Sequence, residues 1–350
     1  MKSIAKKIAF LFSVLLGLVL FIFVLFQAMP NDEEMLTSQR ADAKTKAAIV
    51  AELGLDEPLS KQALYYINDL SPLSFYDSSS KKLSLLTGFG LSKGKTQCWI
   101  KLPYLRTSFQ SKQPVGGMLF QAFIGTMVLA IAAMLLALAI GISLGVWAAM
   151  RQGKWVDHII VGSSAIGISM PSFFSAMLFS WLFGFVWHEY TGLPMTGSLW
   201  EIDEMGESRT LMWSNMILPA LALGIRPLAV FIQLTRNTMV EMLAQDFVRS
   251  AKAKGLSTWQ ATWKHALPNA WAPIATVIAF NLAYLVVGVV VVEVVFVYPG
   301  IGQLMVDAVA SRDIPVVQGC ALIFAITYIL LNLLADIIGI VTNPRLLHPK

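Results

Sequence analysis

Apolar residues run along this chain in long unbroken blocks, unlike the alternation of a half-buried strand or the one-sided stripe of a soluble helix. Six windows hold such a block: Ile8 to Ala28, Leu119 to Ala149, His158 to Trp187, Met212 to Thr235, Trp271 to Val297 and Val316 to Thr342. A helix rising about 1.5 Å per residue needs about 20 residues to cross a hydrocarbon layer roughly 30 Å thick, and each window reaches that length. Helix is the form such a segment must take, because an open strand would leave its backbone polar groups without partners in lipid. The pattern predicts an all-α membrane protein with six transmembrane helices.

Composition agrees. Of 350 residues, 56% are hydrophobic and 13% charged, about half the charged share of an ordinary chain, which excludes disordered, collagen-like, coiled-coil and disulfide-scaffold classes. Cys98 and Cys320 are too far apart in sequence for a metal-binding spacing and lie in unlike surroundings, so no disulfide is expected. The distribution of charge decides what the net +5 means. Arg151 and Lys154 follow the second window, and Arg236, Arg249, Lys252, Lys254 and Lys264 follow the fourth, so these connections face the cytoplasm. The connection after the third holds Glu189, Glu201, Asp203, Glu204 and Glu207 against Arg209, and faces outward with the connection that carries Arg312. Both termini are then cytoplasmic. The basic excess marks the inner leaflet of a membrane and not a nucleic-acid surface.

The first window follows Lys2, Lys6 and Lys7 but no Ala-x-Ala site closes it, so residues 1–28 are expected to be an uncleaved anchor. Residues 29–117 form an extracytoplasmic segment in which Asp77 to Lys95 reads as loop, and 118–350 hold the remaining five helices. Gly94-Lys95-Thr96 has the ending of a phosphate loop, but its first glycine would have to stand at Phe89. Gly141-Ile142-Ser143-Leu144-Gly145 has the spacing of a nucleophile elbow yet lies inside an apolar helix, where small residues serve close packing. His158, His188, His265 and His348 are scattered, so neither a metal centre nor an acid–base cluster is expected.

Between the fourth and fifth windows, Glu241 to Pro268 is helical in character but too polar to span. Phe247, Ala251 and Lys254 fall at i, i+4 and i+7, which predicts one apolar-to-small face with Arg249 and Lys252 elsewhere. Gly255 permits a sharp turn, Ser257 is placed to cap a second helix, and Pro268 to open the next span. Two short helices around a turn make a projection that a cytoplasmic motor can grip; the competing reading is a basic hairpin lying on anionic lipid.

Arg249-Ser250-Ala251 is followed by three residues, Gly255, nine residues, His265, one residue and Leu267-Pro268. This loop resembles that of the permease subunits of binding-protein-dependent ABC importers, which reads Glu-Ala-Ala, three residues, Gly, nine residues, Ile, one residue, Leu-Pro. Within that family the chain is similar to the dipeptide/oligopeptide and nickel branch. Leu53 to Leu59, Thr107-Ser108-Phe109, Pro114-Val115, Met170 to Phe174, Leu218-Pro219, Glu293 with Phe296 to Gly302, Arg312 to Gly319 and Asn343-Pro344-Arg345 carry the likeness along nearly the whole chain. It departs from the branch at Gln233, where an arginine pairing with Arg236 is usual, at Asn343, and in an insertion from Ser71 to Tyr104.

The resemblance implies a multi-pass subunit of the bacterial cytoplasmic (inner) membrane that carries peptides by alternating access. It implies as partners a second homologous permease or a copy of itself, two ATP-binding-cassette ATPase subunits, an extracytoplasmic substrate-binding protein and membrane lipid, without nucleic acid. ATP and magnesium belong to the ATPase partners, and no cofactor or catalytic residue is expected on this chain. The ATPase-coupling loop is 237–270, with Phe247, Arg249, Ala251, Lys254, Gly255, Leu256, Leu267 and Pro268 as contact residues. Arg226, where a charge at mid-span costs roughly 2.5 to 3.5 kcal/mol on insertion scales, leads the candidate pathway residues, with Asn281, Glu293, Asn332 and Asp336. Import of nickel or another small solute is the alternative within the family. Outside it stands an ion-coupled secondary carrier, whose inverted repeat is not evident, and an intramembrane enzyme, whose nucleophile and base do not assemble.

Overall fold

The computed structural model describes residues 2–27, 57–77, 88–90, 96–202 and 209–342. In chain order the elements are α1 (Lys2–Gln27), α2 (Leu59–Leu70), β1 (Leu73–Asp77), β2 (Gly88–Gly90), β3 (Thr96–Lys101), α3 (Val115–Met150), α4 (Trp155–Ser169), α5 (Ser172–Phe179), α6 (His188–Thr191), β4 (Trp200–Ile202), β5 (Arg209–Leu211) and α7 (Ser214–Leu243). They continue with α8 (Asp246–Ala253), α9 (Thr258–Ala261), α10 (Leu267–Phe296), α11 (Ile301–Ala310) and α12 (Ile314–Thr342). Wider π turns extend α5 over Ser180–Val186 and join α9 to α10 over Thr262–Ala266.

Four helical runs among the described residues are long and apolar enough to cross a membrane: Val115–Met150, Ser214–Leu243, Thr258–Phe296 and Ile314–Gly339. A shorter apolar stretch, Ser13–Leu25, lies on α1. The window expected as one span from His158 to Trp187 is a pair, Trp155–Ser169 and Ser172–Val186, bent by 108° and making a fifth span if counted as one. The cause is local. Met170 is extended ahead of Pro171, which blocks the helical conformation of its predecessor and itself takes ψ 140 before the next helix starts. Pro219 and Pro227 lie within α7 without ending it.

The all-α expectation also needs amendment. β1, β3 and β2 form an antiparallel sheet in that order, with Leu73 opposite Ile100 and Gly88 opposite Lys101, and β4 pairs with β5. Gly88–Gly90, expected as loop, is a strand because a glycine there lets the backbone approach β3: a Cβ on Gly88 would stand 2.2 Å from the Ile100 carbonyl oxygen. Leu53 to Asp56, Asp203, Glu204, Glu207, Gly94-Lys95, most of the rest of the loop 77–95, Asn343-Pro344-Arg345, His348 and Lys350 lie outside the described residues.

The chain divides into two compact units. The first comprises Met1–Ala122 and Leu304–Ile326. In it Val19 and Ile22 of α1 pack with Tyr66 of α2 and Leu322 of α12. Asp69 is buried at the end of α2, accepts a hydrogen bond from the Tyr76 hydroxyl at 3.0 Å and pairs with Arg106 at 3.6 Å. The Lys101 ammonium donates to the Asp69 backbone carbonyl and lies over the Tyr76 ring, as Arg106 does over Tyr66. Burial pushes the Tyr66 hydroxyl up to about 12, and burial beside the Asp69 carboxylate raises Tyr76 as well, so both stay neutral at any physiological pH. Segments that carry the family likeness meet here: Asp313 is buried and accepts from the Ser108 hydroxyl and from the Phe109 backbone N–H at 3.0 Å. Val115 and Leu119 close on Gly319 so tightly that a Cβ there would lie 2.7 Å from a Leu119 methyl carbon. Both cysteines are free, Cys98 half-buried in β3 and Cys320 buried in α12.

The second unit, Phe123–Gln303 with Thr327–Lys350, holds the close crossing of α3 on α7. A Cβ on Gly141 would meet Phe231 at 2.8 Å and one on Gly145 would meet Thr235 at 2.7 Å, so the glycines that mimic a nucleophile elbow are spacers between two helices. Asp313→Ala removes the acceptor from three donors in the first unit, Ser108, Phe109 and Gln110. Loss of about 2 kcal/mol of local stability is expected, seen as faster hydrogen exchange at Ser108 to Val115; exchange equal to wild type would contradict the latch.

Candidate functional site

The projection between α7 and α10 is built from sequence-local devices. α7 ends at Leu243, and Gln245 in extended conformation redirects the chain into α8. α8 stops in a glycine cap: Gly255 has φ +94, its N–H reaches the Lys252 carbonyl at 3.0 Å, and the Leu256 N–H reaches the Ala251 carbonyl at 3.3 Å. This pair of bonds satisfies carbonyls that the end of a helix leaves open, and its left-handed residue is the reason for glycine. Ser257 then caps α9 in a reciprocal box, its hydroxyl accepting from Gln260 N while the Gln260 side chain accepts from Ser257 N. Pro268 stands in the first turn of α10, where its missing N–H costs nothing.

Tertiary packing makes the projection rigid. Val248 and Ala261, both fully buried, join Val146 and Ala149 of α3, Met239 of α7, Ala266 of the π turn, and Ala270 and Ile274 at the start of α10 in one apolar cluster. Met242, Leu243, Trp263 and Leu267 pack around it. The knob is therefore bolted to three spans through alanines and one valine that admit close approach. The buried face of α8 is Val248 and Ala251; the expected face of Phe247, Ala251 and Lys254 is one position out, since Phe247 is 40% exposed and Lys254 is exposed too. An i, i+3 pair suffices on so short a helix, and the larger ring is left outward with the cations.

Arg249, Lys252, Lys254 and Lys264 are exposed on the knob, with Asp246 3.5 Å from Arg249 across an open ion pair worth little by itself. Leu256 and Leu267 are half-buried, and Gly255 and Pro268 are exposed. The exposed surface thus presents Phe247, Gly255 and Pro268 among basic side chains. Trp259 and Trp263 pack against each other beside it, ring centroids 5.3 Å apart and planes tilted by 49°.

Behind the knob, Arg236 near the end of α7 clamps Asp157 at the start of α4 through two bonds, Nε to Oδ1 at 3.1 Å and Nη2 to Oδ2 at 2.8 Å. The Gly153 N–H adds a third bond to the same carboxylate, which is almost wholly buried. Gln233, standing where the branch usually has arginine, donates to Ser164 at 3.1 Å.

The pathway candidates separate. Arg226 is exposed at mid-span, its guanidinium 5.0 Å from the centre of the Tyr284 ring and donating to the Tyr284 hydroxyl at 2.5 Å. Asn281, half-buried, lies one turn before Tyr284 and donates to the Val277 carbonyl; Asn332 donates to the Tyr328 carbonyl, and Asp336 is exposed one turn beyond it. Glu293 does not fit its expected place on a pathway. It is wholly buried and accepts from Thr126 Oγ1 at 2.6 Å, Gly302 N at 2.7 Å and Gln303 N at 3.2 Å. Gly300 is pressed against its carboxylate, where a Cβ would come within 2.0 Å. Its work is to fix the turn between α10 and α11, a role that its distance from Gly302 in sequence did not reveal. The residues that sequence reasoning missed are Val248, Asp157, Tyr284 and the two tryptophans. Asp157, an acid standing at the edge of an apolar block, was the available signal for one of them.

The sequence pattern of the family described as binding-protein-dependent transport system inner membrane component matches residues 141–348, and that of the corresponding N-terminal membrane component matches residues 1–130. The chain is 32% identical to the dipeptide transport system permease protein DppB of Escherichia coli strain K12 over 371 aligned positions, covering 100% of both chains. It is 33% identical to the di/tripeptide transport system permease protein DppB of Pseudomonas aeruginosa over 99% of each. It is 31% identical to the glutathione transport system permease protein GsiC of Salmonella typhimurium over 98% of each. Its fold is similar to a chain of the MetNI methionine ABC transporter solved in inward-facing conformations, with TM-score 0.50 and 16% identity, covering 65% of this chain and 97% of that one.

Val248→Asp places a charge in the apolar cluster and should destabilise the solubilised protein by about 3 kcal/mol or more. The neighbouring exposed Ser250→Asp should change it by less than about 0.5 kcal/mol. Thermal unfolding in detergent compares them, and equal midpoints would mean that the knob is not bolted.

Proposed function

The chain belongs to the family of inner membrane components of binding-protein-dependent transport systems, and from that membership we propose that it is a permease subunit importing di- or oligopeptides, driven by ATP hydrolysed on partner chains. It is a multi-pass protein of the inner membrane. The peptide class rests on relatives that cover the chain from end to end and are described as dipeptide, di/tripeptide and glutathione permeases.

The observation that carries the coupling is the knob itself. A loop that only rested on lipid headgroups would not need a core shared with three spans. Here a force applied to α8 reaches α3, α7 and α10 through close apolar contact, because packed cores move as blocks and do not deform continuously. The knob and both termini face the cytoplasm, as the Lys and Arg distribution favours. Two ATP-binding-cassette subunits, which carry the ATP and Mg²⁺, hold the knobs of this permease and of a second permease of the same fold. Phe247 and Gly255 sit in the ATPase surface while Arg249 and Lys254 meet its acids. Nucleotide-driven closure of the ATPases draws the knobs together and opens the cavity between the two permeases to the outside, where an extracytoplasmic binding protein delivers cargo. Hydrolysis lets the knobs part and the cavity open inward.

Co-purification tests this. The solubilised chain should bring down an ATPase, and Gly255→Trp, whose bulky side chain cannot take φ +94 without strain, should abolish the association while membrane insertion persists. Arg249→Glu combined with Lys254→Glu should lower ATP-driven uptake at least tenfold. Uptake driven by a proton or sodium gradient with no ATPase present would contradict the proposal and favour a secondary carrier.

A further inference from the structure

α7 carries two arginines within its span, and the structure treats them differently. Arg236 is neutralised by a fixed carboxylate, Asp157, through two bonds of 3.1 and 2.8 Å. None of the ion pairs among the described residues includes Arg226. Its guanidinium rests instead on the ring of Tyr284 from α10 and donates one N–H to that tyrosine's hydroxyl. Both side chains are exposed, Tyr284 by 47%, although they lie in the middle of their spans, away from the polar residues Asn237, Glu241 and Asn269 exposed towards the helix ends. Lipid on this face would leave a cation with no anion, so the face looks onto water or onto another protein wall.

The way Arg226 is held is suited to a visiting anion. An aromatic face beneath the guanidinium restrains its plane by cation–π attraction without using up its donors. Of the N–H groups of the fork, the Tyr284 hydroxyl takes one, and the rest match the two oxygens of a carboxylate. Asn281, one turn before Tyr284 on the same face of α10, spends its amide N–H on the Val277 carbonyl, which leaves its oxygen to accept from a peptide N–H or ammonium beside the cation. A permanent partner acid would have produced the bidentate clamp seen at Arg236; an aromatic seat allows capture and release.

We propose that Arg226, seated on Tyr284, is a subsite for the C-terminal carboxylate of the cargo peptide as it crosses, an inference that rests on the importer reading above. The acceptor oxygen of Asn281 takes an N–H of the same cargo.

The test uses the whole complex in proteoliposomes: both permeases, the ATPases and the binding protein. ATP-driven uptake of a dipeptide and of its C-terminal amide is measured for wild type, Arg226→Gln, Arg226→Lys and Tyr284→Phe. The binding protein is the same in every arm, so its own preference divides out when the acid-to-amide ratio of a variant is compared with that of wild type. The preference for the free acid should fall about tenfold in Arg226→Gln and about threefold in Tyr284→Phe, and should largely survive in Arg226→Lys. An unchanged preference in a variant that still transports overturns the subsite. Should Arg226→Gln not assemble, Tyr284→Phe decides alone. Loss of association with the second permease in Arg226→Gln, together with an unchanged preference in Tyr284→Phe, assigns the anion to the partner subunit and also overturns it. Absence of ATP-dependent uptake of either cargo by wild type overturns the importer reading itself, a failure distinguishable from an unchanged preference.

Discussion

Val248 enters an apolar joint where α3, α7 and α10 converge, and whatever the knob transmits must pass through that joint. Its materials explain its stiffness. Alanines at 149, 261, 266 and 270 offer little rotamer freedom and let backbones approach, so displacement of α8 has few soft degrees of freedom in which to dissipate. The glycine cap at Gly255 and the serine box at Ser257 set the two short helices at a fixed angle. Neither cap would hold so short a helix in water by itself; packing against three spans does that work, since helices of 8 and 4 residues are far below the length at which isolated helices persist.

A second constraint is electrostatic and concerns the charges that an apolar protein keeps. The buried carboxylates among the described residues all have donors: Asp69 has Tyr76 and Arg106, Asp157 has Arg236 and Gly153, Asp313 has Ser108, Phe109 and Gln110, and Glu293 has Thr126, Gly302 and Gln303. Asp157 and Asp313 tie helix starts to segments far away in sequence, and Asp313 and Glu293 lie in segments where the family likeness is read. The polar residues of the chain thus divide into fasteners, which are buried and satisfied, and a small set left open on the spans, of which Arg226 is the most costly to leave open.

Much of this was legible in the sequence, for reasons that differ by feature. Hydropathy blocks located α3, α10 and α12 to within about a turn because lipid imposes a length as well as a polarity, whereas α7 runs on past Thr235 to Leu243 in residues too polar for the block. The knob's turn and caps were legible because Gly255, Ser257 and Pro268 act through their own backbone preferences. The 108° break between α4 and α5 was not, since a hydropathy window measures apolar length and is blind to direction. Met170-Pro171 signalled a boundary, but Pro219 and Pro227 carry the same signal inside an unbroken helix, so proline alone could not decide. The small sheet of β1, β2 and β3 has strands of 5, 3 and 6 residues without alternation, too short for a period to emerge. Glu293 and Tyr284 escaped for a common reason: their roles are set by partners on other segments, Thr126 and Arg226, which no local pattern names.

The central claim is that the knob moves as one body with the spans it is bolted to. Spin labels at exposed Lys252 on the knob and exposed Trp147 on α3 test it most directly, through their separation measured by pulsed electron resonance in the assembled complex, nucleotide-free and ATP-trapped. A rigid joint predicts the same distance distribution in both states, while labels at Lys252 on the two permeases approach one another. A change of several ångströms within one permease would show that the knob swings on its joint, and would contradict the account.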